Sequence, residues 1–167
     1  MWSPDRISRP LPRRAVLLGL LAVSACGLTP VYGPGGAGNR LFGKVRPRDP
    51  KSYEDFAFNR RLSDRLGGDG GSYDLDYRLN LGAVAQAITQ DQVTTRYSLN
   101  GTADFVLKDA GGRVLTQGRV SSFTSYSTTG TTIATLSAEG DARQRLAVML
   151  ADQVVTRLLA ASSQLPG

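Results

Sequence analysis

Histidine is absent from this 167-residue sequence, and Cys26 is its only cysteine. A single cysteine cannot form a disulfide within the chain, and without histidine the usual ligands of a His/Cys metal site are missing as well. A nucleophile–base pair of the histidine type is excluded for the same reason. The sequence therefore predicts a fold that depends on its hydrophobic core, with no catalytic residue, no cofactor and no metal.

Long runs of one kind are also missing. The apolar run at residues 15–23 is shorter than the ~20 residues that a membrane-spanning helix needs. Lys and Arg number 20 against 14 Asp and Glu, but no basic run interleaved with aromatic residues is present. These observations argue against an N-terminal membrane span and against nucleic acid as a partner.

The N-terminal segment has the layout of a secretory signal. Basic residues come first, the short apolar run follows, and Val23-Ser24-Ala25-Cys26 ends it. This ending resembles a bacterial lipobox, in which the thiol takes a diacylglyceryl group and cleavage frees an amine for a further acyl chain. Two or more acyl chains anchor a protein stably to a membrane. We expect residues 1–25 to be removed and Cys26 to carry the lipid.

An alternative interpretation makes Cys26 a small buried side chain and residues 15–25 a core helix. The charged residues before the run, and the Gly- and Pro-rich residues after it, argue against that alternative. Removal of the signal takes away four arginines and one aspartate, so the net charge falls from +6 to a mild +3. We predict a tether at residues 26–39, one domain at residues 40–162 and a frayed end at residues 163–167.

Two segments have helical periodicity. The first is expected to begin at Asp49-Pro50, because Asp caps a helix and Pro is tolerated in its first turn, and to end at Gly67. Its buried stripe is predicted to be Phe58, Leu62 and Leu66. The second is expected to begin near Ser137. Its predicted buried stripe consists of Ala142, Leu146, Met149, Leu150, Val154, Leu158 and Ala161.

Period-two alternation of apolar and polar residues predicts the strands. They are expected at residues 41–47, 73–88, 97–107 and 113–127. Gly82 is expected to interrupt the second strand with a bulge, and a change of register is expected in the fourth strand before Phe123 and Tyr126. Turns are predicted at residues 89–92 and 109–112.

The order of these elements is β-α-β-β-β-α. Each predicted strand has one apolar face and each helix one apolar stripe, so two helices on one face of the sheet would bury every apolar surface. The predicted fold is therefore an α+β two-layer sandwich with a roughly four-stranded, largely antiparallel sheet. Such a domain reads as a binding or scaffolding module that is tethered to a membrane.

Two aspartates could form a catalytic pair of carboxylates. Asp74 and Asp76 share one face of the second predicted strand. The alternation assigns that face to solvent, and nothing nearby in the sequence marks a pocket. We therefore expect a protein that is not an enzyme.

Four stretches carry a resemblance to a known family. They are residues 26–32 (Cys-Gly-Leu-Thr-Pro-Val-Tyr), 94–99 (Thr-Thr-Arg-Tyr-Ser-Leu), 144–146 (Gln-Arg-Leu) and 151–158 (Ala-Asp-Gln-Val-Val-Thr-Arg-Leu). With these stretches and the order of its elements, the chain resembles the LPS-assembly lipoprotein family, LptE, over nearly its whole length.

The resemblance implies a lipid-anchored protein of the cell outer membrane, on its periplasmic side. In that family the domain lies in the lumen of the large β-barrel LptD and helps the barrel to assemble for lipopolysaccharide transport to the outer leaflet. Gly27 after the lipidated cysteine is consistent with outer-membrane sorting. We therefore expect a plug and assembly factor with an LptD-type barrel as its partner.

Lipopolysaccharide itself is a second expected partner, because Arg and Lys recognise phosphorylated sugars. The candidate contacts are Arg96, Lys108, Arg113, Arg143 and Arg145.

Two other functions stay open. A membrane-anchored carrier of lipid or glycolipid, without a barrel partner, would need an apolar cavity between helices and sheet. A periplasmic hydrolase would need a buried residue of perturbed pKa in a cleft.

Overall fold

The computed structural model describes Gly33 and residues 36–68, 70–88 and 94–165. Its main elements, in chain order, are β1 (Val45–Pro47), α1 (Tyr53–Leu66), β2 (Tyr73–Ile88), β3 (Thr94–Asp109), β4 (Val114–Ser127) and α2 (Thr132–Ala161). Short 3-10 helices, Ala37–Arg40 and Ser162–Gln164, flank them. The predicted signal, Cys26, most of the tether and the turn at residues 89–92 lie outside the described residues.

The four strands form one open sheet in the order β1-β2-β3-β4. β1 runs parallel to β2 because α1 connects them, while β2, β3 and β4 are antiparallel neighbours along the chain. The predicted α+β fold and its β-α-β-β-β-α order are thereby confirmed. The turn predicted at residues 109–112 is present as well: Asp109 accepts the backbone N–H groups of Gly111 and Arg113 on Oδ1, and Gly112 has a φ of 80°.

Both helices pack on one face of the sheet, which we call the inner face. Phe58, Leu62 and Leu66 of α1 are buried as predicted. From α2 the buried residues are Ala142, Leu146, Ala147, Leu150, Ala151, Val154, Val155 and Leu158. The stretch Thr132–Gln164 is long and apolar enough, by composition, to cross a membrane, but this buried stripe is that of a core helix.

One glycine lets α2 approach the sheet closely. A Cβ atom on Gly101 of β3 would lie 2.9 Å from Cδ2 of Leu146 and 3.1 Å from Cδ1 of Leu150. Real Cβ atoms essentially never come as close as 2.9 Å, so a larger residue at this position would force the side chains of Leu146 and Leu150 to shift.

The helix starts differ from the predicted ones. α1 begins at Tyr53 with Ser52 as its cap, because the Ser52 hydroxyl accepts the N–H of Asp55 and the residue before Pro50 is biased to extended backbone. α2 begins at Thr132, where Thr131 caps it through the N–H of Ala134. Predictions of Asp49-Pro50 and Ser137 as helix starts were therefore wrong.

The predicted start of β1 and the predicted bulge at Gly82 were also wrong, as was the change of register in β4 that is described in the next paragraph. β1 begins only at Val45, since residues 41–44 form a turn. Gly82 pairs regularly with Asn100, and the irregularity of β2 lies between Ala85 and Ile88 instead.

In β4 the pairing with β3 runs without a shift from Thr116 to Ser127. Phe123 and Tyr126 consequently lie on opposite faces, Phe123 on the outer face and Tyr126 buried on the inner face. Met149, predicted to be in the core stripe, is 41% exposed because it lies on the solvent side of α2.

Candidate functional site

The sheet has two ends that differ in cover and charge. The closed end consists of β1 and of residues 73–78, 104–109 and 114–119. The far end consists of residues 79–88, 94–103 and 120–127. At the closed end, Tyr73, Leu75 and Tyr77 of β2 are buried beneath α1. At the far end, every residue from 82 to 86 is exposed.

A polar junction holds the closed end together. The Arg48 guanidinium donates to Asp55 Oδ2 (2.9 Å) and to the backbone oxygen of Tyr77 (2.7 Å), and its Cζ lies 4.2 Å from the centre of the Tyr77 ring. Asp55 also accepts the N–H of Lys51, and Asn59 donates to the oxygen of Arg48. This junction joins the end of β1, the start of α1 and the edge of β2.

Tyr77 is the one residue here whose chemistry could suggest catalysis. Burial, and then the negative charge of Asp55, raise the pKa of Tyr77 far above its ordinary value. A phenol that keeps its proton so firmly is a poor acid or base near neutral pH, because catalytic groups have pKa values close to the working pH. Its ring, 4.4 Å from that of Phe58, serves the core instead.

The outer face of the closed end is covered by ion pairs between neighbouring strands. Arg46 contacts Asp74 at 2.7 Å, Lys108 contacts Asp76 at 2.7 Å, and Arg119 pairs with Asp104. The hydrogen bond from Arg119 holds the pKa of Asp104 below its usual range.

Asp74 and Asp76 therefore each face a cation of their own, as structural ion pairs do. Two clefts, of about 630 Å³ and 480 Å³, open between these charges at the surface.

Apart from Arg96 and Phe123, the outer face of the far end carries mostly small, uncharged side chains. A shallow cavity of about 590 Å³ lies there, lined by Asn80, Gly82, Val84, Asn100, Thr102 and Phe123 among others. Phe123 is 70% exposed and Val84 is 56% exposed. Among the three far-end strand segments, only Arg96 is charged.

The start of α2 adds to the apolar surface of the far end. Ile133 and Leu136, in its first turns, are 81% and 64% exposed. The loop before it stays close to β3, since the N–H of Thr128 donates to the oxygen of Thr95 at 3.1 Å. Exposed apolar side chains thus occur on both sides of the sheet at the far end, and Tyr53, Phe56 and Val114 are exposed elsewhere.

The five basic candidates are not brought together. Arg96 lies at the far end of β3, while Lys108 and Arg113 lie at its closed end. Arg143 and Arg145 are on α2.

Three of the five have acidic partners: Lys108 pairs with Asp76, Arg113 with Asp109, and Arg143 with both Glu139 and Glu54. The hydrogen bonds that Arg143 donates to Glu139 raise the pKa of Arg143. Within the described ranges, no carboxylate lies at ion-pair distance from Arg96 or Arg145.

Sequence reasoning missed the Arg48 junction and the cross-helix ion pairs of Asp152. Arg61 Nε and Arg65 Nη1 both lie 2.9 Å from Asp152 Oδ1, so α1 and α2 are joined by charge as well as by their apolar stripes. The sequence gives little indication of these ion pairs, because Asp152 is about ninety residues from Arg61 and Arg65 and no periodicity links them.

Comparison with known families identifies the chain. Residues 44–158 match the family model described as LptE, lipopolysaccharide-assembly. The chain belongs to the LptE family. It is therefore a lipopolysaccharide-assembly lipoprotein of a non-catalytic family, which works with the lipopolysaccharide-transport machinery at a membrane.

Solved structures agree with this fold. A protein described as a lipoprotein from Caulobacter crescentus CB15 is similar at 20% identity and a TM-score of 0.66, covering 78% of this chain and 98% of that one. The rare lipoprotein B from Shewanella oneidensis is 11% identical, with a TM-score of 0.55 and coverages of 72% and 95%. A minor lipoprotein from Acinetobacter baumannii is 19% identical, with a TM-score of 0.54 and coverages of 75% and 96%. No curated protein matches the chain by sequence.

Proposed function

We propose that this LptE-family chain is an outer-membrane lipoprotein that enters the lumen of an LptD-type β-barrel, far end first. There it would help the barrel to assemble and to carry lipopolysaccharide to the outer leaflet. The observation that carries the proposal is the family match over residues 44–158, which spans the whole sheet and most of α2. The resemblance noted above in residues 26–32 supports the same assignment.

The surface of the domain suits such a place. The lumen of an outer-membrane barrel is polar, and the outer face of the sheet carries ion pairs at its closed end and mostly small polar side chains beyond them. β2 and β3 have 16 residues each, so the sheet is roughly 50 Å long at about 3.3 Å per residue. A long, narrow domain of this kind can reach deep into a wide barrel.

The expected anchor explains how the domain stays beside its partner. Cys26 would carry two or more acyl chains, which hold a protein stably on a membrane. From Cys26 to Gly36 the chain has few residues and many glycines and prolines, so the domain would stay close to the membrane surface.

Direct contact with lipopolysaccharide is proposed for the basic candidates, and the geometry ranks them. Arg96 comes first, because it is the single charge of the far-end strands and has no carboxylate partner in the described part of the chain. Arg145 comes second. Lys108, Arg113 and Arg143 rank below them because acidic partners already occupy their side chains.

A free lipid carrier is less well supported. That function needs an apolar cavity between helices and sheet, yet the space there is filled by side chains such as Leu99, Leu107 and Leu150, each 0% exposed. The clefts noted above open on the charged or polar surface instead.

The test is a mild-detergent pull-down of the tagged full-length lipoprotein from outer membranes, with mass spectrometry of what co-purifies. We expect one stoichiometric β-barrel of LptD size. Recovery of the protein alone with bound lipid would favour the carrier, and recovery alone and empty would refute both. Cys26→Ala serves as the control for anchoring, since it should leave the membrane fraction.

A further inference from the structure

The edge of the sheet on the β1 side is protected at the closed end, whereas in the described structure residues 79–88 of β2 have no strand beside them on that side. On one side, β1 is only three residues long and ends at Pro47, and Arg48 then donates its Nε–H to the free oxygen of Tyr77 on β2. Short strands, prolines and side chains that cover backbone groups are ways in which proteins prevent unwanted strand pairing. β4 forms the other edge and has none of these features over its 14 residues.

The hydrogen bonds of β4 reveal which backbone groups face outward. Thr128 donates its N–H to Thr95, and in an antiparallel pair the bonds to one neighbour fall on every second residue. The even-numbered residues of β4 therefore bond to β3 over the regular stretch. The odd-numbered residues turn their N–H and C=O groups away from the sheet, and these residues are Gln117, Arg119, Ser121, Phe123, Ser125 and Ser127.

This edge is open to a partner in three respects. All six outward-directed residues are exposed, whereas Val120 and Tyr126 between them are buried against α2. No other described segment hydrogen-bonds to the edge. The pairing register has no bulge from Thr116 to Ser127, so the edge is regular enough to continue the ladder.

The charge of the edge indicates what could pair with it. Residues 120–127 contain no charged side chain, and Arg119 is already neutralised by Asp104. An uncharged, extended segment would therefore meet no unpaired charge, while Phe123 offers an aromatic surface to an apolar side chain across the new pair.

We infer that β4 accepts an uncharged, extended segment of the barrel partner as a fifth strand, by β-strand addition along its far-end half. In this mode the main-chain hydrogen bonds supply affinity and the alternating side chains supply selectivity. The inference rests on the proposed function, because a chain that enters a barrel meets that partner rather than a second copy of itself.

The test compares edge variants in the pull-down of full-length lipoprotein. Ser121→Pro removes an outward N–H and none of the bonds to β3, and proline is tolerated on an edge strand in that setting. Ser121→Lys places a charge on the same edge. Thr102→Lys is the matched control, since Thr102 pairs with Ser121 across the ladder and shares its outer face, but belongs to an interior strand.

We expect both Ser121 variants to retain about tenfold less barrel partner than wild type, a loss that corresponds to one decade of affinity. Thr102→Lys should retain the wild-type amount. All three should melt within a few degrees of wild type. Equal retention by Ser121→Lys and wild type would overturn the inference while leaving the proposed function intact.

A photo-crosslinking residue identifies the occupant. At position 125 it should crosslink to one segment of the barrel partner, and at position 100, on the outer face of interior β3, it should not. Crosslinks from position 125 to a second copy of the chain, or equal crosslinks from both positions, would overturn the inference. Failure of wild type to bring down any barrel would refute the proposed function, and the inference with it.

Discussion

The closed end and the far end of the sheet differ in how their charged groups and strand edges are covered. At the closed end both helices cover the inner face, Arg48 covers an edge, and each aspartate named on the outer face has a cation beside it. At the far end Val84, Phe123 and Ile133 face solvent, and the edge of β4 has no described partner. The two ends therefore differ in charge and in strand pairing rather than in apolar exposure, since Tyr53 and Phe56 of α1 and Val114 of β4 are exposed as well. The edge of β4, unpaired within the described residues, is what makes the far end the better candidate for contact with a partner.

This division has a physical basis. Large exposed apolar groups that cluster at one place mark surfaces where other molecules bind, whereas single ones are common everywhere. Val84 and Phe123 line one cavity on the outer face of the far end, and an unprotected strand edge beside such a surface invites aggregation in a protein that functions alone. The far end therefore fits a domain that completes its surface against a partner.

The largest expected effect lies in the core that both ends share. Leu146→Asp should destabilise the domain by about 5 kcal/mol or more, because it places an unpaired charge in a site that is 0% exposed. Met149→Asp, on the same helix but facing solvent, should change the melting temperature only slightly. Equal melting temperatures of the two variants would contradict the assignment of Leu146 and α2 to the core.

The junction of the closed end comes next. Arg48→Ala should cost about 3 kcal/mol of unfolding free energy, since it leaves the buried carboxylate of Asp55 without its cation. Arg46→Ala breaks an exposed pair with Asp74 and should cost less than about 1 kcal/mol. Denaturant unfolding of both variants measures the difference. Equal costs would contradict the account of the junction.

The close contact between α2 and Gly101 of β3 predicts a smaller effect on the free energy of unfolding. Gly101→Ala should destabilise the domain by about 1–3 kcal/mol, because its methyl group would overlap Leu146. Gly82→Ala is the control one strand away: a Cβ there meets no atom within 4 Å, so stability should be unchanged or slightly higher. Thermal unfolding distinguishes them, and an equal loss at both sites would exclude the overlap as the cause.

The smallest effect on stability should come from the far end, with the largest effect on binding. A double variant, Phe123→Ser with Ile133→Ser, removes exposed apolar groups and should melt within a few degrees of wild type. It should nevertheless lose most of the co-purified barrel partner. A fall in melting temperature together with an unchanged amount of barrel partner would show that the far end serves stability and not binding, contrary to this account.

Much of the fold followed from the sequence, because alternation and helical spacing are local. The stripe of Phe58, Leu62 and Leu66 and the inward side chains of β2 and β3 could all be predicted from periods of 3.6 and 2. Helix starts could not, since Ser52 and Thr131 compete with other good capping residues nearby, and only the hydrogen bonds decide.

The candidate site was harder to predict from the sequence, because it depends on the pairing of strands and on contacts between residues far apart in the chain. The sequence predicts a change of register before Phe123 and Tyr126, whereas the observed pairing with β3 continues without a shift through both residues. Likewise, the partners of Lys108 and Arg143 come from other strands and helices, and no spacing along the chain reveals them. Which candidate cations are unpaired therefore emerged only from the fold.

The most direct test of the central claim is crosslinking in intact cells, with one photo-crosslinking residue at a time in the full-length lipoprotein. Position 123 at the far end is compared with position 46 at the closed end, two exposed sites on strands of the same sheet. We predict a crosslinked species of barrel size from position 123 and little or none from position 46. Strong crosslinking from position 46 alone, or equal yields from both, would contradict the claim that the far end contacts the partner.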